Sequence, residues 1–226
     1  MDKIKTGDFI EMEYVGRVKN NNKIFDLTDE KLAKKEGIFN DKLEYGPIII
    51  CVGEGQLLRG LDDEIVGKEI GKKYSIELES EIAFGRKNAK LIKLISLSSF
   101  KKQKINPYPG LQVNINGMIG LVRTVSGGRV MVDFNHPLAG RDVIYEVKIN
   151  KKITDTKEKL DSLIKTDLMQ KEFKSNIKDK KAKIEISMKF PDEFKNKFKE
   201  RVKRLLTEIK DIEFKEKKED KANKKK

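Results

Sequence analysis

The period at which apolar and polar residues alternate changes several times along the chain, and each change predicts an element. Residues 8–18 (DFIEMEYVGRV) and 23–26 (KIFD) carry the two-residue period of strands, joined by the polar turn Lys19-Asn20-Asn21-Asn22. Asp29–Glu36 predicts one short helix, stopped near Gly37. Tyr45-Gly46-Pro47 introduces the unbroken apolar run Ile48–Val52, the pattern of a strand buried on both faces. Beyond the turn Gly53-Glu54-Gly55-Gln56, the residues Leu57, Leu58, Leu61 and Ile65 recur at helical spacing as far as Val66, and Gly67 stops the helix. Lys73–Leu78 predicts another strand and Glu79–Gly85 a loop.

The character of the sequence changes at Arg86. Leu91–Phe100 is rich in Leu and Ser, and Asn106-Pro107-Tyr108-Pro109-Gly110 reads as a rigid turn. Asn116-Gly117 and Gly127-Gly128 are hairpin signals between runs of Val, Ile and Met, so this segment predicts a small antiparallel β unit. Val132–Gly140 leads out of it and Val143–Ile149 predicts a strand. That strand and Lys73–Leu78 are expected to be neighbours, separated in sequence by the inserted unit.

After Lys152 the period changes again. Thr156–Met169 carries Leu160, Leu163, Ile164 and Leu168 on one helical face. Ala182–Phe190 alternates as a strand through Ile184, Ile186, Met188 and Phe190. Pro191-Asp192 starts a helix whose stripe is Phe194, Phe198, Val202, Leu205, Leu206 and Ile209. Asp211–Lys215 predicts a short strand, and the tail 217–226 has the composition of a disordered segment.

Composition narrows the classes open to such a chain. Its 226 residues suffice for two or three domains. No apolar run approaches the roughly 18–20 residues of a membrane-spanning helix, and the first residues form no apolar signal core. An intracellular, cytoplasmic protein is expected. One cysteine, Cys51, excludes an internal disulfide and a cysteine-cluster metal site, and one histidine, His136, excludes most zinc chemistry. Abundant Lys, Glu and Ile fit a thermophile. The formal net charge of +13 is uneven, because residues 151–226 hold 26 basic against 16 acidic side chains. This pattern suggests a near-neutral catalytic part joined to a basic docking or assembly part.

No nucleophile elbow, phosphate-cradling glycine loop or paired-histidine metal motif is present. What remains is a set of aromatic and aliphatic residues suited to a reaction that needs no acid, base or nucleophile. Tyr14-Val15-Gly16, Ile24-Phe25-Asp26, the block Val52-Gly53-Glu54-Gly55-Gln56-Leu57-Leu58-Arg59-Gly60-Leu61-Asp62, and Ala83-Phe84-Gly85 follow one another in a specific order and spacing. That order resembles the FKBP-type peptidyl-prolyl cis–trans isomerases. Asp133-Phe134-Asn135-His136-Pro137-Leu138-Ala139-Gly140 is similar to the flap of SlyD-type and long-type archaeal members, where an insert-in-flap chaperone domain precedes such a segment.

The resemblance implies an α+β fold: an FKBP-like antiparallel β half-barrel around one helix, from residues 1–85 plus 132–151. It implies an inserted small all-β domain at 86–131, with a C-terminal α/β domain at 152–216 and a basic tail at 217–226. It further implies a pocket made by Tyr14, Phe25, Asp26, Leu57, Leu58, Leu61, Phe84, His136, Leu138 and Tyr145, without cofactor or metal. Tyr14 and Asp26 would form its polar edge. Leu61 stands where many members carry tryptophan, a residue absent from this chain, and Phe84 stands where tyrosine is common. Taken singly, Phe25, Leu58 and Tyr145 also read as core residues, Asp26 and His136 as turn residues, and Cys51 as a small buried hydrophobe.

The partners this implies are unfolded or proline-containing polypeptides. In the insert, Leu94, Leu97, Phe100, Met118, Ile119 and Leu121 are candidates either for an exposed client surface or for the insert's own core. The wide apolar stripes of the C-terminal region suggest a homodimer. Its charge suggests ribosome or RNA contact instead, but lysines alternate with acids and aromatic residues are not interleaved, which favours a solvated surface. A holdase with little turnover is the remaining alternative.

Overall fold

The computed structural model describes residues 3–216. The basic tail expected to be disordered lies outside the described residues. In chain order the elements are β1 (Phe9–Val18), β2 (Ile24–Leu27), α1 (Glu30–Lys35), β3 (Ile48–Cys51), α2 (Arg59–Ile65) and β4 (Lys73–Leu78). They continue with β5 (Ile92–Ser96), α3 (Leu97–Lys102), β6 (Gln112–Ile115), β7 (Met118–Ser126), β8 (Arg129–Asp133) and β9 (Val143–Lys152). The last are α4 (Thr156–Asp167), β10 (Phe173–Lys178), β11 (Lys181–Ile186), α5 (Asp192–Leu205) and β12 (Asp211–Glu216). The result is a mixed α/β protein of mostly antiparallel sheets with few helices. Among the described residues no helix is long and apolar enough to cross a membrane.

The chain divides into two compact units, one comprising residues 3–17, 24–76 and 144–216, the other 18–23 and 77–143. In the first, β1 is the central strand of a five-stranded sheet ordered β2-β1-β9-β4, with β3 paired to β1 as well. The expected neighbourhood of Lys73–Leu78 and Val143–Ile149 is therefore present. Alternation buries Tyr145, Val147 and Ile149 on one face of β9, as the two-residue period demands. The apolar run at β3 is buried unevenly: Ile50 and Cys51 are enclosed, whereas Ile48 and Ile49 are half-buried. Helix α2 begins two residues later than its apolar pattern suggests, leaving Leu57 in the preceding turn and Leu58 at the N-cap.

The same unit carries a second sheet, β10-β11-β12. Strands β11 and β12 run parallel, and α5 provides the crossover that parallel pairing requires. The core here takes Leu160, Leu163, Ile164 and Leu168 from the α4 region, Ala182, Ile184 and Ile186 from β11, and Phe198 and Val202 from α5. It also includes Phe9 and Cys51, with Ile49 packed against it. Part of the wide apolar stripe is thus covered by the chain's own β1 and β3, while Met188 and Phe194 remain 56% and 40% exposed.

Two expectations for this region need correction, and one element was not expected. The strand expected over Ala182–Phe190 ends at Ile186, and Met188 faces solvent. Ile209 lies beyond the end of α5, although it joins the core. Strand β10 has no counterpart among the expected elements. Its hairpin to β11 turns at Asp179 and Lys180, both at positive φ (49° and 61°), where the sequence carries neither Asn-Gly nor glycine.

The second unit is built on a four-stranded antiparallel sheet ordered β5-β8-β7-β6. Both hairpin signals turn as expected: Asn116 and Gly117 lie at φ 52° and 81°, Gly127 and Gly128 at 55° and 72°. The segment Leu91–Phe100, left without an element by its pattern, contains β5 and the start of α3. Ser96 caps that helix by accepting a hydrogen bond from the Ser98 amide. Val132, expected on the way out of the unit, lies in its central strand β8. Phe100, Val113, Val122, Val130 and Val132 form the core, with Leu97 packed against it.

Candidate active site

Tyr14 points from β1 toward the partner strand β2, and its hydroxyl donates to Asp26 Oδ2 at 2.9 Å. The pairing of these strands explains how Phe25 and Asp26, adjacent in sequence, serve one cluster. Val15 faces Leu27 and Gly16 faces Asp26, but Arg17 faces Ile24, so Phe25 is the extra residue of a bulge. A bulge re-aims a side chain that strict alternation would send to the opposite face. Phe25 consequently meets Tyr145 of β9 edge-on, with ring centroids 5.6 Å apart at 86°. Tyr14 meets the same ring at 5.8 Å and 61°. Such edge-to-face contacts place the positive rim of one ring on the negative face of another.

Gly16 allows this convergence. A Cβ there would stand 2.8 Å from the Phe25 Cζ and 3.1 Å from the Tyr145 Cε1. Thr28, itself buried, fixes the backbone of Tyr14: its hydroxyl accepts from the Tyr14 amide at 2.9 Å and donates to the Tyr14 carbonyl at 3.2 Å. Burial, aided by the Asp26 charge, pushes the Tyr14 phenol well above its ordinary pKa. The Tyr145 phenol is raised by the same two causes in the same order. Both hydroxyls therefore remain protonated at neutral pH, and Tyr14 is a fixed donor to a carboxylate acceptor.

The turn before α2 is organised by Asp62, which is 4% exposed. Its two carboxylate oxygens accept from the amides of Gly53 (2.8 Å) and Gly55 (3.2 Å). Gly53 and Gly55 take φ of 85° and 70°, a region where a side chain would be strained. Leu57 and Leu58 follow half-buried, and Leu61 is fully enclosed at 1% exposure. At that position a leucine packs apolar atoms without the indole N–H that tryptophan would carry.

In the other unit, Phe84 and His136 stack face to face, centroids 4.8 Å apart and rings within 2° of parallel. His136 Nδ1 accepts from the Leu138 amide at 3.2 Å, so the neutral ring carries its proton on Nε2. The two segments are tied by the Gly140 amide donating to the Gly85 carbonyl at 2.8 Å. Asp133 anchors the start of the 133–140 segment. Its Oδ2 accepts from Arg123 Nε and Nη2, and its Oδ1 from the backbone and side-chain amide of Asn135. Burial works to raise the Asp133 pKa, but hydrogen bonds from Asn135 and Arg123 outweigh it and hold the group below the ordinary carboxylate value.

The structure thus gathers Tyr14, Phe25, Asp26 and Tyr145 into one cluster. It places Leu57, Leu58 and Leu61 at the start of α2, and joins Phe84, His136 and Leu138 within the second unit. Gly16, Thr28 and Asp62 were not among the expected site residues. Gly16 stood in the quoted motif, yet only the paired strands reveal what its missing side chain permits. Cys51 is enclosed as expected, and burial pushes its thiol up to about 12, consistent with an inert packing residue.

Comparison with known proteins gives the family. The family profile described as FKBP-type peptidyl-prolyl cis-trans isomerase matches residues 1–96, and that described as FKBP26, IF domain matches residues 93–138. The chain is similar to the short-type peptidyl-prolyl cis-trans isomerase of Methanocaldococcus jannaschii, 30% identical over 146 residues, covering 65% of this chain and 92% of that protein. It is 32% identical over 108 residues to the FKBP-type 16 kDa peptidyl-prolyl cis-trans isomerase of Escherichia coli K12, covering 46% and 72%. With the isomerase SlyD of Pasteurella multocida it shares 26% identity over 127 residues, covering 54% and 60%. The chain belongs to the FKBP-type peptidyl-prolyl cis-trans isomerases.

Proposed function

We propose that the protein accelerates X–Pro rotation by seating the proline against the cluster of Tyr14, Phe25, Asp26 and Tyr145, with Leu57 and Leu58 as an apolar floor backed by the enclosed Leu61. The barrier to be lowered is that of amide resonance, about 18–20 kcal/mol. A twisted amide has lost that resonance and is less polar than either planar form. A dry, preorganised aromatic surface therefore favours the twisted state over the hydrated planar one. No covalent or acid–base step is needed. The observation that carries this reading is the convergence of three aromatic rings around one phenol–carboxylate hydrogen bond on a bulged strand. Proline-limited refolding of a client tests the scheme: Phe25→Ala should lower the catalysed rate by about tenfold or more, and an unchanged rate would overturn it.

The second part of the proposal is that the β5–β8 unit holds unfolded polypeptide. Of its six apolar candidates, Phe100 is buried and Leu97 packs against the same core, so these two belong to the unit's own packing, and Leu121 is half-buried. Leu94, Met118 and Ile119 are 61%, 49% and 61% exposed. Replacing these three with serine removes the surface without touching the core, whereas deleting 86–131 would cut through β8. The triple variant should lose suppression of client aggregation and retain isomerisation of a short proline peptide. Undiminished suppression would contradict the holding role.

The basic C-terminal surface pairs lysine with acid repeatedly, as in Lys181–Asp211 (3.8 Å), Lys183–Glu213 (3.8 Å) and Lys197–Glu193 (2.8 Å). This supports reading it as a solvated face rather than a nucleic-acid interface.

A further inference from the structure

The turn that leads into Leu57 and Leu58 is held from one side by Asp62 and from the other by the C-terminal region. Arg204 of α5 forms a bidentate pair with Glu54, Nη1 to Oε1 and Nη2 to Oε2, both at 2.7 Å. Arg201, one helical turn earlier, donates from Nη2 to the Glu54 carbonyl at 3.0 Å. Gln56 lies in the same short turn. Its Oε1 accepts from the Cys51 amide at 2.7 Å, while its Nε2 donates to Thr166 Oγ1 at 2.7 Å and to Asp167 Oδ1 at 3.3 Å at the end of α4. Arg201 Nε and Asp167 Oδ2, 3.2 Å apart, close the ring of contacts. The Glu54 side chain is only 15% exposed, so its pair with Arg204 is partly withdrawn from solvent, unlike the surface pairs of α5. The hydrogen bonds from Arg204 hold the Glu54 pKa below the ordinary carboxylate value, against the opposing effect of burial.

From this arrangement we infer that Glu54, Gln56, Arg201 and Arg204 are positioning residues for the isomerase reaction: the C-terminal domain fixes the turn that presents Leu57 and Leu58 to substrate. This rests on the reading that these two leucines form the pocket floor. A preorganised site tolerates little drift, and a displacement of about 1 Å by a remote change costs up to about a hundredfold in rate. The leucine backbone lies next to the clamped residues, and α2 starts without a side-chain cap of its own at Leu58. A brace from the C-terminal region therefore adds to the order that Asp62 and Gln56 supply locally.

The test is a double-mutant cycle on the full chain, reading kcat/KM for a short proline peptide alongside the thermal midpoint. Glu54→Ala and Arg204→Ala should each lower kcat/KM by about tenfold, and the double variant should fall no further than either single one. Arg204→Lys should recover part of the loss, since it keeps the charge but not the two-point geometry. The side chain of Arg204 is 60% exposed, so its variants carry the measurement if Glu54→Ala proves too unstable. Single variants within about twofold of the parent, or losses that multiply in the double variant, would overturn the inference. Phe25→Ala separates the two levels: if it is inactive and the cycle shows no coupling, only the brace is wrong. If Phe25→Ala retains full kcat/KM, the pocket reading fails and the brace with it.

Discussion

Gly16 bears more on the aromatic cluster than its lack of a side chain suggests. A methyl group at its Cα would meet Phe25 at 2.8 Å and Tyr145 at 3.1 Å, and neither ring is the loose end of a flexible chain. Overpacking of this kind costs about 1–3 kcal/mol. Gly16→Ala is accordingly expected to push Phe25 from the Tyr145 edge and to reduce peptide isomerisation more than it reduces the thermal midpoint. A variant with parent-like kcat/KM would show that the Phe25 position does not matter. Tyr14, Phe25 and Asp26 were marked together in sequence by motif order, whereas Tyr145 lies outside the quoted motifs and was named only through the resemblance. The bulge that turns Phe25 and Asp26 to a common face was not legible, since a two-residue period carries no mark where the ladder slips by one. Thr28 was equally silent: nothing in its neighbours announces that its hydroxyl grips the Tyr14 backbone.

Among the elements, those with strong period or strong turn chemistry were readable. Asn116-Gly117 and Gly127-Gly128 supply positive φ at no steric cost, and β6, β7 and β8 follow from them. Asp179-Lys180 makes the same kind of turn with unfavourable residues, so β10 was missed although Phe173, Ser175 and Ile177 alternate toward the interior. At β8 the decisive element is its last residue, Asp133, whose pKa lies below the ordinary carboxylate value of about 3.9. A carboxylate lowered by folding contributes stability that is present above its unfolded pKa and lost as pH falls through the folded one. The difference in thermal midpoint between the parent and Asp133→Asn should therefore be full near neutrality and shrink below about pH 4. A difference that stays constant into acid would contradict the anchoring role of this carboxylate.

For the whole molecule, the catalytic barrel and the C-terminal region read in sequence as separate parts divided near residue 151. In the folded chain they share one core, in which Phe9 and Cys51 pack with Leu160, Leu163 and Ile184. Sequence periods reveal which face of an element is apolar but not what covers it, and β1 and β3 cover part of the wide C-terminal stripes. The same limit hid the Arg204–Glu54 pair, whose partners lie 150 positions apart. The central claim is that the aromatic cluster on the bulged β1–β2 pair performs the isomerisation. The most direct measurement follows the proline-limited refolding of a client with catalytic amounts of the parent and of Phe25→Ala, with circular dichroism confirming that both are folded. The parent should accelerate refolding, and Phe25→Ala should retain about a tenth of that acceleration or less. No acceleration by the parent, or equal acceleration by a folded Phe25→Ala, would contradict the account.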